Sequence, residues 1–314
     1  MPIYRYWSAR LVRLFVVLAL LSASLAPAQV ENRARPLAIG GVTTTGFPYV
    51  VSILDNSKPE YSESEKIRAH MCAGVVISTD LVLTAAHCMF AVDVNLPNPY
   101  VARTPQQMNV LYGTADLWWP AGRRLAVSRI FVHPEYNAIT HDHDLAVIQT
   151  SSPMFGMADF VADSRLVMRL SSSRKITLDD PMTLVGWGMT APNGAPSRMK
   201  NRLEMQLVST AWCQTQYAPF PVKPGMVCAI GHESNRTCRG DSGSALISLS
   251  PGRPQLVGLD SWGDNQPDGC TLQGKPTVFT SISGPHLKFI RGAMREANSG
   301  FQCPENLDSD SAIC

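Results

Sequence analysis

Apolar runs only a few residues long, each broken by Gly, Pro, Asn, Asp or Ser, recur along most of the chain and leave little room for helices. The first series, between Tyr49 and Thr150, reads YVVSIL, AGVVIS, LVLTAA, NVLYG, RLAVSRIFV and DLAVIQT. A second, between Met182 and Ile282, reads MTLVGWG, RLEMQLVS, SALISL, PQLVGLDSW and TVFTSI. Short strands rich in branched side chains and separated by turn formers specify an all-β protein, a barrel or a sandwich. Three stretches read as surface loops: Asp55 to His70, Asp93 to Gln107, and Ala191 to Lys200. One helix is predicted near the end, where Leu287, Ile290 and Met294 recur at helical spacing after Ser283, Gly284 and Pro285. It is expected to pack on the β core and to take no part in chemistry. A chain of 314 residues, 45% of them hydrophobic, can fill one large or two small cores.

The beginning of the chain sets the compartment. Arg5, Arg10 and Arg13 precede the apolar run LFVVLALLSASLA, and Ala26-Pro27-Ala28 offers small residues for cleavage. This is the layout of a secretory signal peptide, too short and wrongly flanked for a membrane span. The expected organisation is a signal peptide over 1–28, a short propeptide over 29–37, a main domain over 38–298 with an internal junction near 151–180, and an acidic tail over 299–314. Secretion, extracellular or periplasmic, makes the eight cysteines readable as disulfides. No Cys-x-x-Cys pair suggests a metal site, so neither metal nor cofactor is expected. A formal net charge of +2 gives no reason to expect a nucleic-acid partner, and no membrane association is expected.

Ser242 lies in TCRGDSGSAL, where glycines let the backbone turn sharply enough for the Gly240 and Ser242 amides to face one oxyanion. A serine hydroxyl also needs a base, and LTAAHC supplies His87. The base needs an orienting carboxylate, and HDHDLAVI offers Asp142 and Asp144, the second opening an apolar strand where it would be partly buried. LTAAHC, HPEYNAITHDHDLAVI, GWG, CRGDSGSAL, SWG and KPTVFTSI stand in the order and approximate spacing of the chymotrypsin-like (trypsin-fold) serine peptidases, which the chain resembles from about Ala38 to Ala297.

The resemblance implies two six-stranded antiparallel barrels with a C-terminal helix and the active site between the barrels. It implies a serine endopeptidase in which His87, Asp144 and Ser242 form the triad, Gly240 and Ser242 the oxyanion hole, and Ser261, Trp262 and Gly263 a strand that pairs with substrate. It implies disulfides Cys72–Cys88, Cys213–Cys228 and Cys238–Cys270; Cys303 and Cys314 have no counterpart in the family and remain to pair with each other. It further implies a zymogen, in which a new terminal amine, matched here to Ala38, pairs with Asp241. The partners implied are protein or peptide substrates, an activating protease and a protein inhibitor.

Several positions depart from the family pattern. Ser244 replaces a usual glycine, and Ala38 a usual isoleucine. Arg236 stands where trypsin-like members place an aspartate, Asp260 replaces an apolar wall residue, and Thr277 replaces a glycine that admits large side chains. Arg236 is expected at the pocket base, either free or paired with Asp260, with Arg239 at the rim. Both arrangements reject basic side chains, leaving small or acidic ones; a third has Arg236 swung out and Asp260 receiving a basic side chain. The alternative is a weak or inactive homologue acting as a binding or regulatory protein, the class that loss of a triad residue would indicate.

Overall fold

A computed structural model describes residues 41–297 apart from 59–61, 119–121, 169, 171–174, 192, 233–234, 251–253 and 265. The expected leader, Ala38, Cys303 and Cys314 lie outside the described residues. Val50–Asp55, His70–Val76, Leu81–Thr84, Ala146–Thr150, Arg123–Val132 and Met108–Tyr112 pair in that order and close into a six-stranded barrel. Its strands are antiparallel neighbours throughout, so no edge is left unpaired.

The second barrel runs Asn201–Val208, Pro181–Gly186, Ala245–Ser248, Gln255–Trp262, Thr277–Ser281 and Met226–Gly231, the last strand returning to pair with the first. The short strand Val42–Thr43 adds to Asn201–Val208 from outside. Alternation sets the inward face: Asn201, Leu203, Met205 and Leu207 are buried while Arg202, Glu204 and Gln206 are exposed. Leu184, Leu203, Leu246 and Phe279 fill this second core. The architecture is the predicted pair of six-stranded barrels.

Several elements depart from expectation, two of them because they carry little periodicity. Met226–Gly231 was not among the predicted strands, although Pro224-Gly225 before it is a turn signal. Thr210–Tyr217 is a helix capped by Ser209, whose hydroxyl accepts from the Trp212 amide at 3.2 Å. It buries only Cys213 and Tyr217, so its sequence shows no apolar stripe. The Asp55–His70 loop contains the helix Glu63–Ala69, started by a reciprocal Ser62/Glu65 capping box. The predicted helix spans Gly284–Ala297 and buries Ile290, Ala293 and Met294 against the first barrel's core.

Cys72–Cys88, Cys213–Cys228 and Cys238–Cys270 are bonded as the resemblance implied. They close loops of 16, 15 and 32 residues, worth roughly 3–4 kcal/mol each in the chain-entropy account. The first anchors the turn carrying His87, and the last joins the Ser242 loop to the opposite pocket wall.

Candidate active site

His87 sits in the single turn Ala86–Met89 that follows the strand Leu81–Thr84. Asp144 is fully buried just before the strand Ala146–Thr150, which pairs with Leu81–Thr84; barrel closure therefore brings the two side chains together. Asp144 Oδ1 accepts from the His87 amide at 2.8 Å and its Oδ2 lies 2.8 Å from His87 Nδ1. The Ser261 hydroxyl, from the second barrel, donates to the same Oδ2 at 2.6 Å. His141 Nδ1 stands 3.6 Å from Oδ2, too far for a hydrogen bond. Burial opposes ionisation of Asp144, yet His87 and His141 hold it below the usual carboxylate range. Burial likewise lowers His87, but the Asp144 charge and hydrogen bond outweigh it and the imidazole is raised above its ordinary value. An ionised Asp144 can only accept, so Nδ1 carries the proton and Nε2 keeps its lone pair.

The Ser242 loop is held by close approach. A Cβ on Gly243 would lie 2.4 Å from the Ala73 carbonyl oxygen and 2.5 Å from Thr84 Oγ1, so this glycine presses the loop onto the strand leading to His87. Ala73 donates to the Ser242 carbonyl at 2.8 Å, and Gly243 donates to the Asp260 carbonyl at 2.9 Å. Ser242 therefore lies between the His87 segment and Ser261. No hydrogen bond joins its hydroxyl to His87 among the described residues, the looser geometry common in sites without substrate. Gly240 has φ of +97°, which turns the loop, and neither the Gly240 nor the Ser242 amide is engaged by another described backbone group. Ser244 takes an ordinary backbone conformation, so the missing glycine causes no strain there; its buried hydroxyl finds no partner.

Beside Ser242 opens a pocket of about 390 Å³ lined by Thr237, Arg239, Asp260, Ser261, Trp262 and Gly263 among others. Arg236 is not part of its wall. Its guanidinium lies 3.5 Å from the Asp268 carboxylate and 3.5 Å from the Thr271 carbonyl oxygen, so its partner is Asp268 and not Asp260. Thr277 sits behind the wall, its hydroxyl 2.6 Å from that of Thr237. Asp260 is buried with Oδ2 unpartnered, and desolvation, together with the Asp241 and Asp144 charges, pushes its carboxyl well above the usual range.

Asp241 accepts from the Gly188 amide at 3.0 Å and the Cys238 amide at 2.9 Å, and meets no cation among the described residues. Burial outweighs those bonds and pushes its carboxyl up to about 7.

The family model for trypsin matches residues 39–290. The chain belongs to the trypsin family. It is 26% identical to trypsin eta of Drosophila erecta over 87% of this chain and 95% of that one. It is 28% identical to the vitellin-degrading protease of Bombyx mori, over 86% of this chain and 89% of the relative. As a member of this family it is a serine endopeptidase, a hydrolase acting on protein substrates. No helix among the described residues is long and apolar enough to cross a membrane.

This trypsin-family site also depends on a histidine–serine pair that sequence reading missed. His70 Nε2 lies 2.9 Å from the Gly240 carbonyl oxygen and Nδ1 lies 2.7 Å from the Ser52 hydroxyl, all buried. A carbonyl can only accept, so Nε2 bears the proton and Nδ1 accepts from Ser52. Burial depresses this imidazole to about 4, keeping it neutral. With both nitrogens engaged it cannot serve as a base; it fixes the Gly240 peptide. Ser52 and His70 lie apart in sequence and belong to no motif, so only barrel closure reveals them.

Proposed function

We propose that His87, Asp144 and Ser242 are the catalytic triad of a secreted peptidase working through an acyl-enzyme. The observation that carries this reading is the hydrogen-bonded line from Ser261 through Asp144 to His87, ending beside the Ser242 loop. His87 Nε2 takes the Ser242 proton as the hydroxyl attacks the peptide carbonyl, then delivers it to the leaving amine. Asp144 stabilises the imidazolium, and the Gly240 and Ser242 amides receive the oxyanion. A fluorophosphonate should label the processed protein at Ser242, and Ser242→Ala or His87→Ala should lower turnover by at least about 10³-fold. Labelling elsewhere, or unchanged turnover, would refute the assignment and favour the binding-protein alternative.

The apolar leader of residues 1–28 supports export, and cleavage near Leu37 would supply an amine at Ala38 for Asp241. The burial of Asp241, which meets no cation among the described residues, supports this activation by another protease. Amino-terminal sequencing of active secreted protein tests it; full activity with Gln29 at the terminus would contradict it.

For the side chain preceding the cleaved bond, the reading is preference for small neutral groups over basic and large aromatic ones. It is supported by a pocket whose acid, Asp260, is held protonated by burial, and whose nearby cation, Arg236, is spent on Asp268. Acidic side chains meet only Arg239 at the rim and rank below alanine and valine. A peptide library cut chiefly after Lys or Arg would overturn this, and would mean that Asp260 ionises to receive them.

A further inference from the structure

Next to Asp144 along the chain, three histidines meet. His133 follows the strand Arg123–Val132, His143 immediately precedes Asp144, and His286 lies in the first turn of the helix Gly284–Ala297. One nitrogen from each lies within 4.8 Å of one from each of the others. His133 and His286 are buried, and His143 is 22% exposed, which leaves a path to solvent. The closest pair is His143 Nδ1 and His286 Nε2, 3.0 Å apart, with their rings nearly perpendicular. We propose that this cluster is a binding site for a borderline divalent transition ion such as Zn²⁺, and that the bound ion slows peptide hydrolysis through Asp144.

The donor set fits such an ion. Two imidazole nitrogens bound tetrahedrally at about 2.0–2.1 Å stand a little over 3 Å apart, close to the spacing already present. A ligating histidine is usually oriented through its other nitrogen by a carbonyl or carboxylate. His286 has that arrangement: Nδ1 lies 2.7 Å from the Ser281 carbonyl oxygen, so it is protonated, and the Nε2 lone pair faces His143 Nδ1. His143 Nε2 faces two carboxylates beyond hydrogen-bond reach, a Glu135 oxygen at 3.8 Å and an Asp142 oxygen at 3.9 Å. These two carboxylates favour a cation; Lys223, 3.8 Å from Asp142, opposes one. His133 is the least prepared. It stacks on His143 at 4.6 Å and its Nδ1 accepts from the Glu135 amide, so ligation requires that bond to be given up and the ring to turn. Water from the exposed side of His143 completes four-coordination.

Coupling to the active site follows from the backbone. His143 holds φ of +51°, a conformation sparsely populated outside glycine and tolerated there only because its surroundings fix it. An ion that spreads His143 Nδ1 and His286 Nε2 from 3.0 Å to its own ligand spacing shifts the residue next to Asp144. The regulatory half of the proposal rests on Asp144 acting as the partner of His87; the binding half does not.

The test uses the processed protein with ZnCl₂ alone. Equilibrium dialysis is expected to give one Zn²⁺ per chain, and Co²⁺ in its place the visible absorption of a four-coordinate nitrogen site. His286→Gln and His143→Asn, asparagine being the residue best suited to positive φ, should each weaken binding by more than the roughly 10- to 100-fold typical of outer-sphere partners. His133→Asn should cost less than His286→Gln. His141→Asn is the control for the other nearby donor set, His87, His141 and Asp144. Absence of stoichiometric binding in the unsubstituted protein, or binding lost in His141→Asn but kept in His286→Gln, overturns the site. Rates measured on the same samples should fall as the site fills; full occupancy with unchanged turnover overturns the coupling to Asp144.

Discussion

Asp241→Asn is the sharpest probe of how this chain is held before activation. A carboxyl pushed from 3.8 to about 7 keeps its proton with roughly 4 kcal/mol of added preference, at about 1.4 kcal/mol per decade. The folded state thus binds a proton that the unfolded state has released, and stability from this group falls as pH climbs from about 4 to about 7. By pH 8 the unprocessed chain should have lost close to that amount relative to pH 4. The amide cannot ionise, so the substitution removes the slope. It also sets an NH₂ group near the Gly188 or Cys238 amide, a cost that does not vary with pH, which makes the slope and not the absolute stability diagnostic. Urea denaturation followed by tryptophan fluorescence, in a Ser242→Ala background that prevents autolysis, reads this directly. The stability of Asp241→Asn relative to its parent should rise by up to about 4 kcal/mol between pH 4 and pH 8. In the processed chain, where the proposed Ala38 ammonium would keep the carboxylate charged, that pH-dependent gain should vanish. Identical pH profiles for the two unprocessed chains would refute the reasoning.

Three other outcomes follow from the same geometry. Because His87 must be neutral and its pKa is raised, kcat/KM should increase with pH along a limb above the ordinary imidazole value of about 6.5. Asp144→Asn should move that limb down and cut kcat by about 10⁴-fold, and a limb that stays in place would separate the two residues. Ser261→Ala removes a 2.6 Å donor from a buried carboxylate, so kcat should fall by about 10- to 100-fold, the kinetic equivalent of about 1–3 kcal/mol, with KM little changed; an unaltered kcat in steady-state assays would contradict that role. Asp260→Val replaces a buried acid, whose Oδ2 has no partner among the described residues, by an apolar group of similar size, so urea denaturation should show a gain of about 1–3 kcal/mol and a library profile a shift toward larger apolar side chains; a loss of stability would show that Asp260 is paired after all.

Most strands of the two barrels and the His87, Asp144 and Ser242 segments were legible because each carries a local signature: alternating or continuous apolar runs, and small residues around a nucleophile. The disulfides were legible only through the family, since spacing leaves eight cysteines with many pairings. What escaped the sequence depends on residues far apart in the chain. Arg236 was assigned to the pocket by position, but Asp268 and the Thr271 carbonyl, thirty-odd residues away, turn it aside. The Ser52–His70 clamp on Gly240 and the meeting of His133, His143 and His286 are likewise products of barrel closure and helix docking. The short helix Glu63–Ala69 was readable in principle from Ser62 and Glu65, a capping pair inside a stretch taken as loop.

Division of the site between two barrels gives synthesis an order of events. Every strand of the first barrel has been made by Thr150, with His87 and Asp144 already inside it, while Ser242 is added 92 residues later (242 − 150) and Ser261 later still. At the usual rate of about 5–20 residues per second, roughly 5–20 seconds separate the last strand of the first barrel from the nucleophile. Throughout that interval the growing polypeptide owns a finished proton acceptor and nothing for it to activate. A nascent chain, a truncated product or a proteolytic fragment that ends before the second barrel is therefore harmless to the cell that makes it.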